Sequence, residues 1–287
     1  MKVLLAGGGG FFGGAVARLL AGRHELVIPS RSPSSLPPDL RPYGARFRED
    51  LAAVAEEHRP DAIINFLGIL KERPAEGVTF ERVNLDYTHR LLEGAAAAGT
   101  RRFVQISALG ADASSPSRYL RAKGLAEDAL AASRLEWAAL RPSVIVGPGQ
   151  KFFDDLRGLA RFAPVLAAPS DRLLQPVALS DAAECAVRAL EPDIKCEVFE
   201  LCGPERMSYA DFFRASLRAL GIRRAVLGLP RSFFAPALPL LALLPDPPMT
   251  RDQYLMTAAD NVFSGRYRGA EDLLGRAPVR AFGSPLR

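Results

Sequence analysis

VLLAGGGGFFGGAVARLL, residues Val3–Leu20, decides the fold. Val3 to Ala6 is a short apolar run of the length of a buried parallel strand, and from Ala15 to Leu20 the apolar spacing becomes helical. The glycines therefore occupy a strand-to-helix turn. Two registers fit it, Gly8-x-Gly10-x-x-Gly13 and Gly7-x-x-Gly10-x-x-Gly13, and both use Gly10 and Gly13. A dinucleotide site needs a tight turn after the strand, a residue without Cβ where backbone meets pyrophosphate, and a small residue where helix packs on strand. The phosphates then sit on the free amides at the positive end of the helix. A P-loop would need Lys and Ser or Thr after its last glycine, but Gly14 is followed by Ala15 and Val16.

Outward from this turn, β-rich runs alternate with helical patterns. ELVIP (25–29), DAIINFLG (61–68), RFVQIS (102–107) and EWAALRPSVIVG (136–147) read as strands, and ARFRED (45–50) as a further short one. LAAVAEEH, FERVNLDYTHRLLEGAAAAG and YLRAKGLAEDALAAS read as helices. Such alternation predicts βαβ crossovers and an α/β fold with a doubly wound parallel sheet, a Rossmann fold. The crossover SRSPSSLPPDLRPYG is too rich in proline for a regular helix and reads as loop. We expect a nucleotide-binding domain over residues 1–147 and a smaller substrate-side region over 148–287 that completes sheet and pocket. The tail RAPVRAFGSPLR lacks periodicity and reads as partly disordered.

Composition narrows the function classes. With 287 residues, 48% of them hydrophobic, the chain can bury a large core. The net charge of +5 comes from arginines scattered along the chain rather than from a block, which argues only weakly for nucleic acid and reads as a solvated basic surface, so no nucleic-acid partner is expected. Cys185, Cys196 and Cys202 lack zinc-site spacing, and His24, His58 and His89 lie far apart, so no metal is implied. The N-terminus has no signal-peptide pattern, and a reducing cytoplasm suits the cysteines. The longest apolar run, Ser232 to Leu244, is short for a membrane span and broken by Pro236 and Pro239.

The second strand of a dinucleotide fold ordinarily ends in a carboxylate that binds the ribose 2′-hydroxyl. Here it ends in VIPSRSP: Arg31 stands in that place beside Ser30 and Ser32, which suits the 2′-phosphate of NADP(H). A plain surface arginine is the alternative. Asp50 and Leu51 follow the third strand and are placed to meet adenine. Tyr119 and Lys123 form Tyr-x-x-x-Lys, which puts both side chains on one helix face. An ammonium there lowers the phenol pKa for proton exchange with a carbonyl or alcohol. Ser107 closes the preceding strand and is placed to bind the same oxygen, while Asn84 is placed to hold Lys123 through a water. Packing Tyr119, solvated Lys123 and an ordinary helix-face Asn84 are the bland readings.

The order GGGGFFG, SR, DL, Asn84, ISALGAD, YLRAK and LRPSVIVGPG resembles an extended, atypical short-chain dehydrogenase/reductase. With FLGIL, KFFDDL, LQPVALSDAAECAV, FELCGPERMSY and PPMTRDQYLMTAADNV, the chain is similar over about residues 1–265 to one group in particular. That group is the NAD(P)H-binding accessory subunit of respiratory complex I, the alpha-subcomplex subunit nine group, with its bacterial relatives. The resemblance implies a Rossmann fold, tightly held NADPH and, in the mitochondrial member, a structural role. It also implies nucleotide contacts at Gly7, Gly10, Phe11, Phe12, Arg31, Asp50, Leu51, Phe66, Leu67, Gly68, Ser107, Tyr119, Lys123 and the turn Pro142, Ser143, Val144. Gly9 departs from the Thr that many relatives carry.

These readings lead to an NADP(H)-dependent oxidoreductase in which Ser107, Tyr119 and Lys123 act on a carbonyl or quinone-like substrate. The alternative from another class is an NADPH-binding structural or assembly subunit linked to respiratory complex I or quinone metabolism. An NADP-sensing regulator and a nucleotide-sugar epimerase follow behind. Ser232 to Leu244, with Arg223, Arg224 and Arg231 nearby, reads either as a buried lid element or as a membrane-surface contact for an isoprenoid-like substrate. The expected location is cytoplasmic, with the inner membrane surface as the peripheral alternative.

Overall fold

Strand residues here alternate between two buried faces, and that alternation builds the architecture. In β1 (Lys2–Ala6), Val3 and Leu5 enter one core and Leu4 and Ala6 the other. The computed structural model describes residues 1–46, 50–244 and 247–283. Of ARFRED, residues 47–49 lie outside them, and so do residues 284–287 of the tail.

Five further strands follow: β2 (Glu25–Ser30), β3 (Gly44–Arg46), β4 (Ala62–Asn65), β5 (Arg102–Ile106) and β6 (Glu136–Pro142). Joined by Glu197–Leu201 and Arg268–Gly269, they form an eight-stranded sheet in the order 268–269, 197–201, β6, β5, β4, β1, β2, β3. Every pairing in it is parallel. The order reverses between β1 and β4, where Ala6 lies beside Asn65, so a crevice opens at their carboxyl ends.

Helices cover both faces, as a parallel sheet buried on two sides requires. One core packs α1 (Phe11–Leu20) and α6 (Leu179–Arg188) on Val3, Leu5, Ile28, Ile64, Val104 and Phe199. The other packs α2 (Leu51–His58), α3 (Tyr87–Ala98) and α4 (Arg118–Ala131) on Leu4, Val27, Ile63 and Phe103. Between β2 and β3, residues 31–43 form a loop with two 3₁₀ turns, as the prolines of this crossover predict. The helix read over 80–99 is divided: Glu81–Asp86 is a π-helical stretch and α3 follows it.

Beyond residue 147 come α5 (Lys151–Phe162) and α7 (Tyr209–Ala219), with a parallel two-stranded ribbon, Val165–Pro169 and Ala225–Leu229, packed on them. The tail corrects its expectation over residues 276–283. Arg276 binds Asp181 at 3.0 Å and Glu184 at 2.5 Å, the Val279 amide donates to Asp181, and Phe282 meets Phe212 with ring centroids 5.5 Å apart. Its anchors are side chains distant in sequence, which periodicity does not register. The Ser232 to Leu244 segment is likewise no buried lid: Phe233, Leu240 and Leu243 are exposed, on a 3₁₀ stretch and one helical turn.

Candidate active site

At the crevice, the geometry shows what the glycines of the two registers do. Gly7 has φ +85°, a left-handed turn that L side chains rarely adopt, and the Gly10 amide donates to its carbonyl at 3.0 Å. A Cβ on Gly13 would lie 2.4 Å from the Gly7 oxygen and 2.8 Å from the Gly8 Cα, so the helix can approach the strand only without one. A Cβ on Gly8 would lie 2.7 Å from the Leu5 Cβ, so the first glycine of each register has its own need, conformational at Gly7 and steric at Gly8. Gly10 caps α1 in an extended conformation with no side-chain hydrogen bond, and no acid stands in the first turn. The amides there are available to an anion. The Gly9 departure also has a structural partner, since a Cβ there would lie 2.4 Å from Cδ2 of buried Leu36.

The predicted nucleotide contacts divide by what they do in the fold. Phe12 packs edge-on against Phe66, centroids 5.2 Å apart, which brings α1 and the segment after β4 together at the crevice. Phe11 lies at the start of α1. Arg31 is exposed and, among the described residues, its side chain has no hydrogen bond or ion pair; Ser30 accepts from the Ser32 amide at 3.3 Å. Asp50 proves to be the N-cap of α2, accepting from the Ala52 and Ala53 amides at 3.0 and 3.4 Å. Leu51 is 3% exposed and belongs to the core, so its side chain is turned away from solvent.

Three buried polar side chains pin the segment after β4. Asn65 Oδ1 accepts from the Leu67 amide at 3.0 Å, Asn84 Oδ1 from the Ile69 amide at 3.1 Å, and Lys123 Nζ donates to the carbonyls of Leu67 (3.2 Å) and Ile106 (2.9 Å). A methyl on Gly68 would lie 3.0 Å from Lys123 Nζ and 3.4 Å from Asn84 Oδ1, so both side chains converge there. Behind them, Asn65 Nδ2 donates to Thr88 Oγ1 and Gln105 Oε1, each at 3.0 Å. Sequence reasoning missed Asn65 and Gln105. Their signal was two amides in otherwise apolar strands, and they meet because β4 and β5 pair in register.

Two buried polar atoms at this place have no protein partner among the described residues: Ser107 Oγ and Asn84 Nδ2. Buried donors and acceptors are ordinarily satisfied, so such atoms beside a crevice fit a polar ligand. Asn84 sits in the π-helical stretch. Tyr119 packs edge-on against Phe80, 5.8 Å between centroids, and shares a cluster with Ala108 and Met256.

The short helix Arg251–Met256 crosses over this end of α4. Asp252 Oδ2 accepts from Ser117 Oγ at 2.8 Å and the Tyr119 amide at 3.2 Å, and Oδ1 accepts from the Arg118 amide at 2.6 Å. Asn261 Oδ1 accepts from Ser143 Oγ at 2.5 Å, which holds the turn Pro142, Ser143, Val144. Asp252 and Asn261 had no local signal, since each acts more than 100 residues away in sequence.

Electrostatics modify the Tyr-x-x-x-Lys expectation. Burial, then the Asp252 carboxylate, push the Tyr119 phenol above its ordinary value, while burial pulls the Lys123 ammonium down to about 8 against the opposing pull of Glu127. Burial and Asp252 thus set the Tyr119 phenol, not the lysine at i+4. Between pH 8 and the ordinary 10.5, the unfolded chain holds a proton on Lys123 that the folded chain has released. Stability contributed through this residue therefore rises with pH across that window. Cys185 and Cys202, buried and pushed up to about 12, act in the opposite direction above pH 9. Lys123→Met removes only the lysine part, so urea midpoints at pH 7 and pH 9.5 should favour wild type over the variant more at the higher pH. An unchanged difference would place Lys123 with an ordinary pKa.

A left-handed glycine turn feeding an open helix end, at the reversal of a parallel sheet, defines a dinucleotide-binding α/β protein. Residues 7–151 match the model of a family described as NAD(P)H-binding, about half of the chain, and the chain belongs to that family. It is 28% identical over 69% of its length to an Arabidopsis thaliana protein named NADH dehydrogenase [ubiquinone] 1 alpha subcomplex subunit 9, mitochondrial, covering 53% of that relative. It is 31% identical over 59% of its length to a ceramide reductase of Caulobacter vibrioides, again covering 53%. The chain thus spans about half the length of these curated relatives. In fold it is similar to a nucleoside-diphosphate-sugar epimerase of Staphylococcus aureus, with TM-score 0.74, 16% identity and 100% of each chain covered. A Thermotoga maritima UDP-glucose 4-epimerase gives TM-score 0.71 at 18% identity, covering 100% of this chain and 96% of that one.

Proposed function

We propose that the protein is an NADP(H)-dependent oxidoreductase acting on a carbonyl or quinone-like substrate, with nucleotide binding in residues 1–147 and the substrate side in residues 148–287. The observation that carries this reading is that, among the described residues, the buried Ser107 Oγ and Asn84 Nδ2 beside Lys123 have no partner. With its pyrophosphate held at the glycine turn, a reduced dinucleotide would supply the hydride. Tyr119, its pKa raised, stays protonated at neutral pH and is the acid that gives its proton to the substrate oxygen. Ser107 donates a hydrogen bond to that oxygen. Lys123 spends two of its three N–H bonds on the backbone of Leu67 and Ile106, leaving one for a ribose hydroxyl. Asn84 positions the Gly68 to Ile69 backbone.

Cofactor choice rests on Arg31, a guanidinium unpaired among the described residues where a carboxylate would select NAD. Arg31→Ala should weaken NADPH binding roughly tenfold to a hundredfold, the worth of one charged hydrogen-bond pair, and leave NADH binding unchanged. Fluorescence titration with both nucleotides checks it; equal losses for the two would remove Arg31 from the 2′-phosphate. For the reaction, NADPH oxidation at 340 nm would be followed against quinones, ketones and ceramide-like lipids, and silence across the panel would end the catalytic reading.

The similarity to alpha subcomplex subunit 9 favours a second reading, an NADPH-binding structural subunit of a respiratory or quinone-linked assembly. It predicts stabilisation by NADPH without turnover and recovery of such a partner from membranes. Both readings place the protein in a reducing compartment, cytoplasmic or at the inner membrane surface; Cys185, Cys196 and Cys202 are all free thiols.

A further inference from the structure

The ribbon of Val165–Pro169 and Ala225–Leu229 has an outer face of unusual composition. Its inner residues Leu166 and Val226 pack on α5 and α7 with Leu156, Ala160 and Leu217. The pairing sets Val165 beside Ala225 and Ala167 beside Leu227, and all four of these outward residues are exposed. A sheet with one wetted face ordinarily alternates apolar inward with polar outward. Here the outward positions are apolar, Val165 being 55% and Leu227 53% exposed. Phe162, 86% exposed, ends α5 just before the first strand, and Phe233, 68% exposed, follows the second. An exposed apolar row flanked at both ends by exposed phenylalanines marks a contact surface.

Charge says what kind of contact. Arg161, Arg223 and Arg224 lie at the Phe162 end of the ribbon; Arg224 Nε donates to the Ala160 carbonyl at 2.9 Å, which fixes it beside that end of α5. All three are exposed and, among the described residues, none forms an ion pair. An anionic lipid surface would match these three positive groups. The residues have the composition of an interfacial element, apolar side chains for the acyl boundary and guanidinium groups for headgroup phosphates.

We propose that this ribbon face, with Phe162, Phe233 and the three arginines, docks the protein on an anionic lipid bilayer. The surface adjoins the candidate site. Arg231, at the end of the ribbon, stacks on Tyr254 at 3.9 Å and donates to the Tyr254 carbonyl and Thr257 Oγ1, in the segment whose Met256 packs on Tyr119. An apolar substrate leaving the bilayer would therefore meet the segment over Tyr119 first. The docking itself is independent of catalysis.

The test is co-sedimentation of the full chain with vesicles of phosphatidylcholine containing roughly 30 mol% phosphatidylglycerol, against pure phosphatidylcholine. Binding should be at least tenfold stronger to the anionic vesicles and should fall as salt is raised. Arg161→Glu and Arg223→Glu should each weaken it roughly fivefold. Leu227→Asp combined with Phe162→Ser should abolish it while leaving NADPH binding and the thermal midpoint unchanged, since both side chains are exposed. Tyr119→Phe should bind vesicles as wild type does, which separates this proposal from the catalytic one. Equal binding to both vesicles, no binding to either, or insensitivity to the face variants would overturn it. So would a dimer in light scattering that Leu227→Asp dissociates, because a second copy would then be what covers the face.

Discussion

Gly13→Ala should lose NADPH affinity by roughly 100-fold or more and destabilise the fold by about 1 to 3 kcal/mol. The cause is local and steric. The new methyl would arrive 2.4 Å from the Gly7 oxygen and 2.8 Å from the Gly8 Cα, both backbone, so no rotamer change relieves it. Helix α1 must back away from β1, and the amides at its open end leave the positions from which they meet a pyrophosphate. Losing alignment for two charge-assisted hydrogen bonds accounts for the affinity. Gly158→Ala, in α5 with nothing within 4 Å of the added methyl, is the control and should be neutral or mildly stabilising. Nucleotide titration and urea unfolding of the two variants decide the matter; a Gly13→Ala protein that binds NADPH as wild type does would show that the ligand does not use this turn.

Tyr119→Phe should lower the rate of carbonyl reduction about 10²- to 10⁴-fold, the range for removal of a positioned acid. The Phe ring keeps its packing on Phe80 and Met256, so folding and NADPH affinity should stay within about twofold of wild type. Single-turnover rates with saturating NADPH, alongside direct binding, give the separation. A variant that turns over normally would move the proton source elsewhere, and a variant that loses NADPH binding equally would make Tyr119 a binding group only.

How much of this was legible in the chain follows from the range of each interaction. The strand, glycine turn and helix of residues 3–20, the boundaries of α2, the loop over residues 31–43 and the Tyr-x-x-x-Lys pair depend on neighbours a few positions apart, and spacing records such neighbours. Asp50 shows a role that reading did not name: its position pointed to adenine, and its Oδ1 accepts from the first amides of its own helix. The Tyr119 phenol shows the limit of that reading. A lysine at i+4 suggests a lowered pKa, but burial and a carboxylate from Asp252 raise it, and neither burial nor Asp252 is visible from the motif.

Sequence alone therefore settled the parallel α/β class, the dinucleotide turn and the set of candidate side chains. Tertiary structure gave each glycine of the turn its reason, joined Asn65 to Gln105 across two strands, brought Asp252 and Asn261 to the start of α4 and the turn after β6, tied the tail to Asp181 and left the ribbon face apolar and open. The division has one physical cause. Backbone propensity and hydrophobic period act over a turn or a strand and are written in consecutive residues, while desolvation, buried hydrogen bonds and surface exposure depend on which distant segments the folded chain brings into contact.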